Sequence, residues 1–260
     1  MLREFAARLL TPFPRPARRM GFLHEQIAIR ARERRQRLAW APHLTQARAV
    51  ICEAAERCSK HDLAVVVGAG VCLDIPVREL AQRFKRVVLL DVGFLDRTTI
   101  PSVERITFDA TGCLQYWHDH PRASDPEQIA RTADAGWPSG LAQPDLLISA
   151  NLLGQLHILP AAWLERHGPL PDGFSDRLAL SLAERHVHWL RSHTATRCLI
   201  ADLAELVLDR NGTLVDEQPL PAAMVSLPAA ERTWDWDIAP IPEWVSTHHL
   251  RHRVGAWTNP

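Results

Sequence analysis

Five residues have the types and spacing to hold a nucleoside. Gly68 and Gly70 stand in "VVVGAGVCLD", Asp91 closes "VVLLD", Asp109 lies in "ITFDATG" and Asn151 in "DLLISANLLGQL". A glycine pair after an apolar run lets the backbone turn tightly and approach a ligand closely. A carboxylate roughly 20 residues further on is placed to accept from ribose hydroxyls. Asp109 could accept from the exocyclic amine of a base, and Asn151 would border the reactive end of the ligand. The plainer role for Asp91 is to cap a neighbouring helix or loop.

These positions make sense only on strand ends. "AVVVG" is β-branched without alternation, as in a parallel strand covered on both faces. Pro76 suits the first turn of a helix, and Val77, Leu80, Ala81 and Phe84 continue at helical spacing. "RVVLLDV", "VERITFDATG" and "PDLLISANLLGQL" read as second, third and fourth strands, with Asp109 ending the third and Asn151 the fourth. Between the last two, 114–143 is polar and Pro/Gly-punctuated around a helix at 126–134. A long helix is expected at 176–193, then a fifth strand in "RCLIADLAELVL" and a turn at Asn211-Gly212. "RTWDWDIAP" and "HHLRHRVGAW" alternate as antiparallel edge strands do. Ahead of all this, Pro12, Pro14 and Pro16 preclude one continuous helix in 1–20. One helix is expected between Gly21 and Trp40, with a break at Pro42 and a second helix ending near Ser59. The expected architecture is an α/β, doubly wound, mostly parallel sheet at 61–260 with a C-terminal antiparallel strand pair. An N-terminal helical cap at 1–60 precedes it.

Composition narrows the partners. Lys+Arg and Asp+Glu number 30 each in 260 residues, so no global field favours nucleic acid or an anionic membrane. Lysine occurs only at Lys60 and Lys85, which reads first as the codon bias of a GC-rich bacterial genome. Five cysteines without a CxxC pair suggest neither a disulfide framework nor a zinc ribbon, so a reducing cytoplasm is expected. No apolar run approaches the roughly 20 residues of a membrane span. The basic N-terminus has too short an apolar run for a signal peptide.

The glycine turn selects among nucleotides. A dinucleotide fingerprint needs a third glycine where Leu73 stands, and a P-loop needs a lysine that is missing. What remains is a nucleoside without a large phosphate group. From Leu63 onward the chain resembles the class I S-adenosylmethionine-dependent methyltransferases, on "VVVGAGVCLD", "VVLLDV", "ITFDATG" and "DLLISANLLGQL". The resemblance implies a seven-stranded Rossmann-like sheet and S-adenosylmethionine as cofactor. It places Gly68 and Gly70 under the cofactor's amino-acid portion and ribose, Asp91 on the ribose and Asp109 on the adenine amine. Ser149 to Leu152, Asn151 included, would border the methyl group. The chain departs from the family pattern where Val66 and Val67 replace an acid before the turn and Cys72 replaces the third glycine of GxGxG. Asp74 stands on the other side of that turn.

The expected function is methyl transfer to a small-molecule acceptor. The alternative is a non-catalytic cofactor- or partner-binding relative, and a nicotinamide-dependent oxidoreductase is the third reading. No Asn-Pro-Pro-Tyr motif marks an adenine or glutamine nitrogen as the target. Glu165, His157 or Asn151 could orient or remove an acceptor proton, and the sequence does not choose. His118-Asp119-His120 lacks a third metal ligand at suitable spacing, and His248, His249 and His252 read as surface or edge-strand residues, so no metal is expected. Trp234, Trp236, Trp244 and Trp257 suggest packed edge strands, with an aromatic wall for a flat substrate as the sharper option.

Overall fold

A computed structural model describes residues 11–95, 99–122 and 125–260. The first ten residues of the basic N-terminal segment lie outside it. Strand β1 (Leu63–Val67) is buried at every position, as is β4 (Leu146–Ala150). Both are apolar runs without alternation because the sheet is covered on both faces. Parallel pairing joins β3 (Val103–Thr107), β2 (Arg86–Asp91), β1, β4 and β5 (Thr196–Leu208) in that spatial order. The order reverses between β1 and β4, which opens a crevice at their carboxyl ends.

Beyond β5 the sheet turns antiparallel. β8 (His249–Thr258) pairs with β5, and β7 (Arg232–Ala239) pairs with β8 at the edge. Only one of the two tail strands is thus an edge strand; β8 lies inside the sheet. The sheet has eight strands rather than seven. The additional one is β6 (Leu214–Pro219), which the Asn211-Gly212 turn folds back onto the far half of β5. β4 pairs with β5 only as far as Ile200, and β6 takes over the same side from Ala204. β5 therefore overruns the parallel strands and builds a wall above their carboxyl ends.

One face of the sheet packs on α3 (Arg37–Glu56) and α4 (Val77–Arg83), through Ala47, Ile51, Ala54 and Leu80. The other packs on α8 (Phe174–Arg191), through Ala183, Val187 and Leu190. A third cluster joins α1 (Arg15–Met20), α5 (Leu114–Asp119) and α7 (Ile158–Glu165) beside the crevice, while α6 (Pro126–Thr132) adds Ala130 and α9 (Pro221–Met224) lies on the second face. α2 (Phe22–Arg35) runs over the strand ends, separated from α1 by Gly21 at φ 106°. Pro42 does not break the chain. The interruption is at Gln36, and Pro42 lies inside α3. The carbonyl it cannot partner belongs to Leu38, which is 90% exposed and faces water.

Side-chain hydrogen bonds fasten these helices to the sheet. Gln26 on α2 reaches the loop after β2, and Trp40 Nε1 donates to the Ile238 carbonyl at 3.0 Å. Arg35 and Gln36 both donate to Glu243, between β7 and β8. No helix among the described residues is long and apolar enough to cross a membrane.

Candidate functional site

A cavity of about 530 Å³ opens at the carboxyl ends of β1 to β5, roofed by α2 and bounded by β7 and β8. Its size suits a small ligand. Gly68, Gly70, Asp91, Asp109 and Asn151 all border it. Gly68 and Gly70 have φ of 70° and 50°, the left-handed region that favours glycine. Cys72, at the position of the missing third glycine, also adopts a left-handed φ, 54°. The turn thus keeps the shape glycine would give it, at a steric cost of about 1–2 kcal/mol.

Asp91 accepts from two backbone amides and one side chain. Its Oδ2 accepts from the Gly70 amide at 2.8 Å, and its Oδ1 from the Gly93 amide at 3.3 Å and Gln26 Nε2 at 3.1 Å. Gln26 is itself buried, giving its second N–H to the Gly93 carbonyl and accepting from the Leu95 amide. Burial pushes the Asp91 carboxyl up to about 6, against the pull of these donors. A carboxylate offers about four acceptor positions. Three are taken by these hydrogen bonds and the Val92 amide also draws on the carboxylate, but Oδ2 carries the Gly70 bond alone, so one position remains there. That is room for one ribose hydroxyl rather than two.

Asp109 sits two residues past the end of β3, in a turn that it stabilises. Its Oδ1 accepts from the amide and hydroxyl of Thr111, and its Oδ2 from the Leu114 amide that opens α5. Here the carboxylate holds its own turn and the start of α5, while the residue borders the cavity. Asp109→Ala should therefore lower stability by about 1–2 kcal/mol, the usual cost of losing a cap. Denaturant unfolding of the variant measures this; an unchanged midpoint would mean the turn holds without the carboxylate.

Asn151 is held in a left-handed conformation (φ 53°) immediately after β4. Its Nδ2 lies 2.6 Å from Asp74 Oδ2 and 3.2 Å from His43 Nε2. Trp234 Nε1 donates to His43 Nδ1 at 3.1 Å. Burial holds the His43 pKa down at about 4, so the ring is neutral near pH 7. With Nδ1 accepting, its one proton resides on Nε2 and points at the Asn151 amide. An amide nitrogen there opposes one donor with another. Turning the amide presents its oxygen to His43 and then requires a proton on Asp74, a form that burial favours by raising that carboxyl's pKa. In the orientation given, Asn151 Oδ1 is buried without a partner. In the other, its Nδ2 takes that place. Either way Asn151, which borders the cavity, keeps one buried polar atom without a partner, and Asp74 reaches the site by anchoring it.

The sequence reading missed the polar wall on β5 and β8. His252 borders the cavity, with Nδ1 3.0 Å from Asp202 Oδ2 and Nε2 3.7 Å from Glu205 Oε2. Asp202 Oδ1 takes no part in this contact and is buried without a partner. Burial opposes a charge on His252, but the two carboxylates outweigh it and lift its pKa to about 9. Trp236 meets this ring edge-on and stacks on His43 at 4.0 Å. Acids three apart on a regular strand face opposite ways. A bulge at Leu203 reverses that: Asp202 pairs with Val254 and Glu205 with His252, two apart on β8, so both acids share one face.

Other candidates separate cleanly. His157 borders the cavity with its Nδ1 buried and unpartnered, and burial lowers its pKa. Glu165 lies at the exposed end of α7, outside the cavity. His118 and Asp119 end α5, where the two side chains bond each other at 2.7 Å. No group of three His, Cys, Asp or Glu residues poised to hold a metal occurs among the described residues. Comparison with protein-family models finds no match for the chain, and comparison with curated proteins finds none.

Proposed function

We propose that the chain is an S-adenosylmethionine-dependent methyltransferase with a Rossmann-like, doubly wound core, acting on a small-molecule acceptor. One observation carries this reading. The left-handed Gly68–Gly70 turn, the open acceptor position of Asp91 and the spare polar atom of Asn151 border a single cavity at a topological switch point. The residues fit a nucleoside: a Cβ on Gly70 would project into space the ligand needs, and the side chains nearest the glycine turn, Asp74 and Asp91, are acidic rather than phosphate-binding. The antiparallel closing pair supports the same family. A dinucleotide-binding sheet continues parallel in the sixth place, where β8 runs antiparallel here.

The cofactor would supply a methyl group on a sulfonium, an electrophile that needs no further activation. The chain's own part is positioning and exclusion of water. Asp91 and the glycine turn fix the ribose. Asn151, anchored by Asp74 and His43, orients the reacting end. α2 covers the strand ends through Phe22, Gln26 and Ile29. A non-catalytic cofactor binder is the second reading, favoured by Gln26, which occupies one acceptor position of Asp91.

Calorimetric titration with S-adenosylmethionine, S-adenosylhomocysteine, NAD and NADP tests the proposal. The first two should bind and the last two should not. Binding of NAD or NADP in their place would transfer the chain to the oxidoreductases.

A further inference from the structure

The His252 wall has a charge imbalance that indicates an acceptor class. Asp202 and Glu205 carry two carboxylates against the single imidazolium of His252, which leaves one negative charge at the cavity edge. Asp202 borders the cavity and is 7% exposed, and its Oδ1 is buried without a partner. A buried carboxylate oxygen without a donor is costly, and a cationic N–H relieves it well. His43, the nearest other titratable ring, is neutral and does not supply that charge. Arg32, also on the cavity border, is drawn to Glu243 at 3.6 Å. Trp236 lies alongside, and the negative face of an indole favours an ammonium-bearing or aromatic ligand over an anion.

From this geometry we infer that the methyl acceptor is a small amine, bound as its ammonium by Asp202 and Glu205 against Trp236. The inference rests on the methyl-transfer reading above. In the step it implies, the ammonium gives a proton to the Asp202 carboxylate and thence to solvent. The freed nitrogen lone pair forms the new N–C bond as the methyl C–S bond breaks. The C–S pair stays on sulfur, which becomes a neutral thioether, and the methylated ammonium keeps one positive charge. His252, already protonated, is not the base. It holds the two carboxylates in place.

The test uses the full chain, wild type and the variants Asp202→Asn and Glu205→Gln. Glu205 is partly exposed, so its variant should fold even if Asp202→Asn does not. Calorimetry with the chain loaded with S-adenosylhomocysteine compares phenethylamine, tyramine and tryptamine with 2-phenylethanol and 3-phenylpropanoate. Amines should bind in preference, and each variant should weaken them about tenfold or more while leaving cofactor affinity unchanged. The inference is overturned if no amine binds, if the alcohol or carboxylate binds as well, or if the variants lose cofactor instead of amine. That last result would mean the charge faces the sulfonium. A wild type that binds no S-adenosylhomocysteine would instead remove the methyltransferase reading itself.

Discussion

Gly70→Val should abolish S-adenosylmethionine binding and leave a folded protein. A Cβ built on Gly70 meets only the Gly68 carbonyl at 3.8 Å and Asp91 Oδ2 at 4.0 Å, both ordinary contacts. The side chain would therefore extend into the cavity without disturbing the core. The left-handed φ of 50° adds strain of about 1–2 kcal/mol, which a domain stable by roughly 5–15 kcal/mol survives. Gly68 makes the contrast. There a Cβ would stand 2.7 Å from Leu152 Cδ2, so Gly68→Ala should lower stability as well as binding. Circular dichroism, thermal unfolding and calorimetry on both variants separate the two effects. A folded Gly70→Val that binds the cofactor like wild type would remove the turn from the site.

The contrast between these glycines shows how much of the site could be read from the chain. Local pattern sufficed for β1, β2 and β4, because a strand buried on both faces leaves an unbroken apolar run. It also placed Gly68, Gly70, Asp91 and Asn151, since a strand end followed by a turn is a local event. What needed the fold was everything set by partners distant in sequence. Asp109 looked like a ligand group, but its bonds to Thr111 and Leu114 became visible only with the turn built. His43 is one of many polar residues on an amphipathic helix until β7 brings Trp234 against it. The wall of Asp202, Glu205 and His252 was hidden most deeply. It depends on a bulge that no alternation pattern announces, and on β8 lying between β5 and β7 instead of at an edge. A lone signal was present: acids in "IADLAEL" interrupt an otherwise apolar strand. Buried acids of that kind need a partner, and a search for one would have pointed to the histidines of the tail.

Asp91→Ala should weaken cofactor binding by about tenfold to a hundredfold. The single acceptor position left on Oδ2 admits one charge-assisted hydrogen bond, worth roughly 1.5–3 kcal/mol, and about 1.4 kcal/mol corresponds to tenfold. Stability should respond too, and its pH dependence identifies the cause. Removing the carboxyl deprives the amides of Gly70 and Gly93 and one N–H of Gln26 of their acceptor. Against that loss stands the burial of a charge, which raises the folded-state pKa to about 6. The unfolded value is about 3.9. A carboxyl raised in this way contributes its stability in full below about pH 4, where both states hold the proton. It loses that contribution as pH climbs through about 6, where the folded state must ionise it. Two units correspond to something on the order of 3 kcal/mol. The deficit of Asp91→Ala relative to wild type should therefore be largest near pH 4 and shrink toward pH 7. Cofactor affinity should run the other way, because only the ionised carboxylate gives a charge-assisted bond. Wild-type affinity should fall as pH drops below about 6, and that pH dependence should be missing from the variant. Gln26→Ala serves as the control, since it removes one donor and a helix contact while leaving the carboxylate in place. It should lower stability and spare most of the affinity. If Asp91→Ala behaves like Gln26→Ala, losing stability with unchanged affinity at every pH, then Asp91 joins α2 to the glycine turn and holds no ribose.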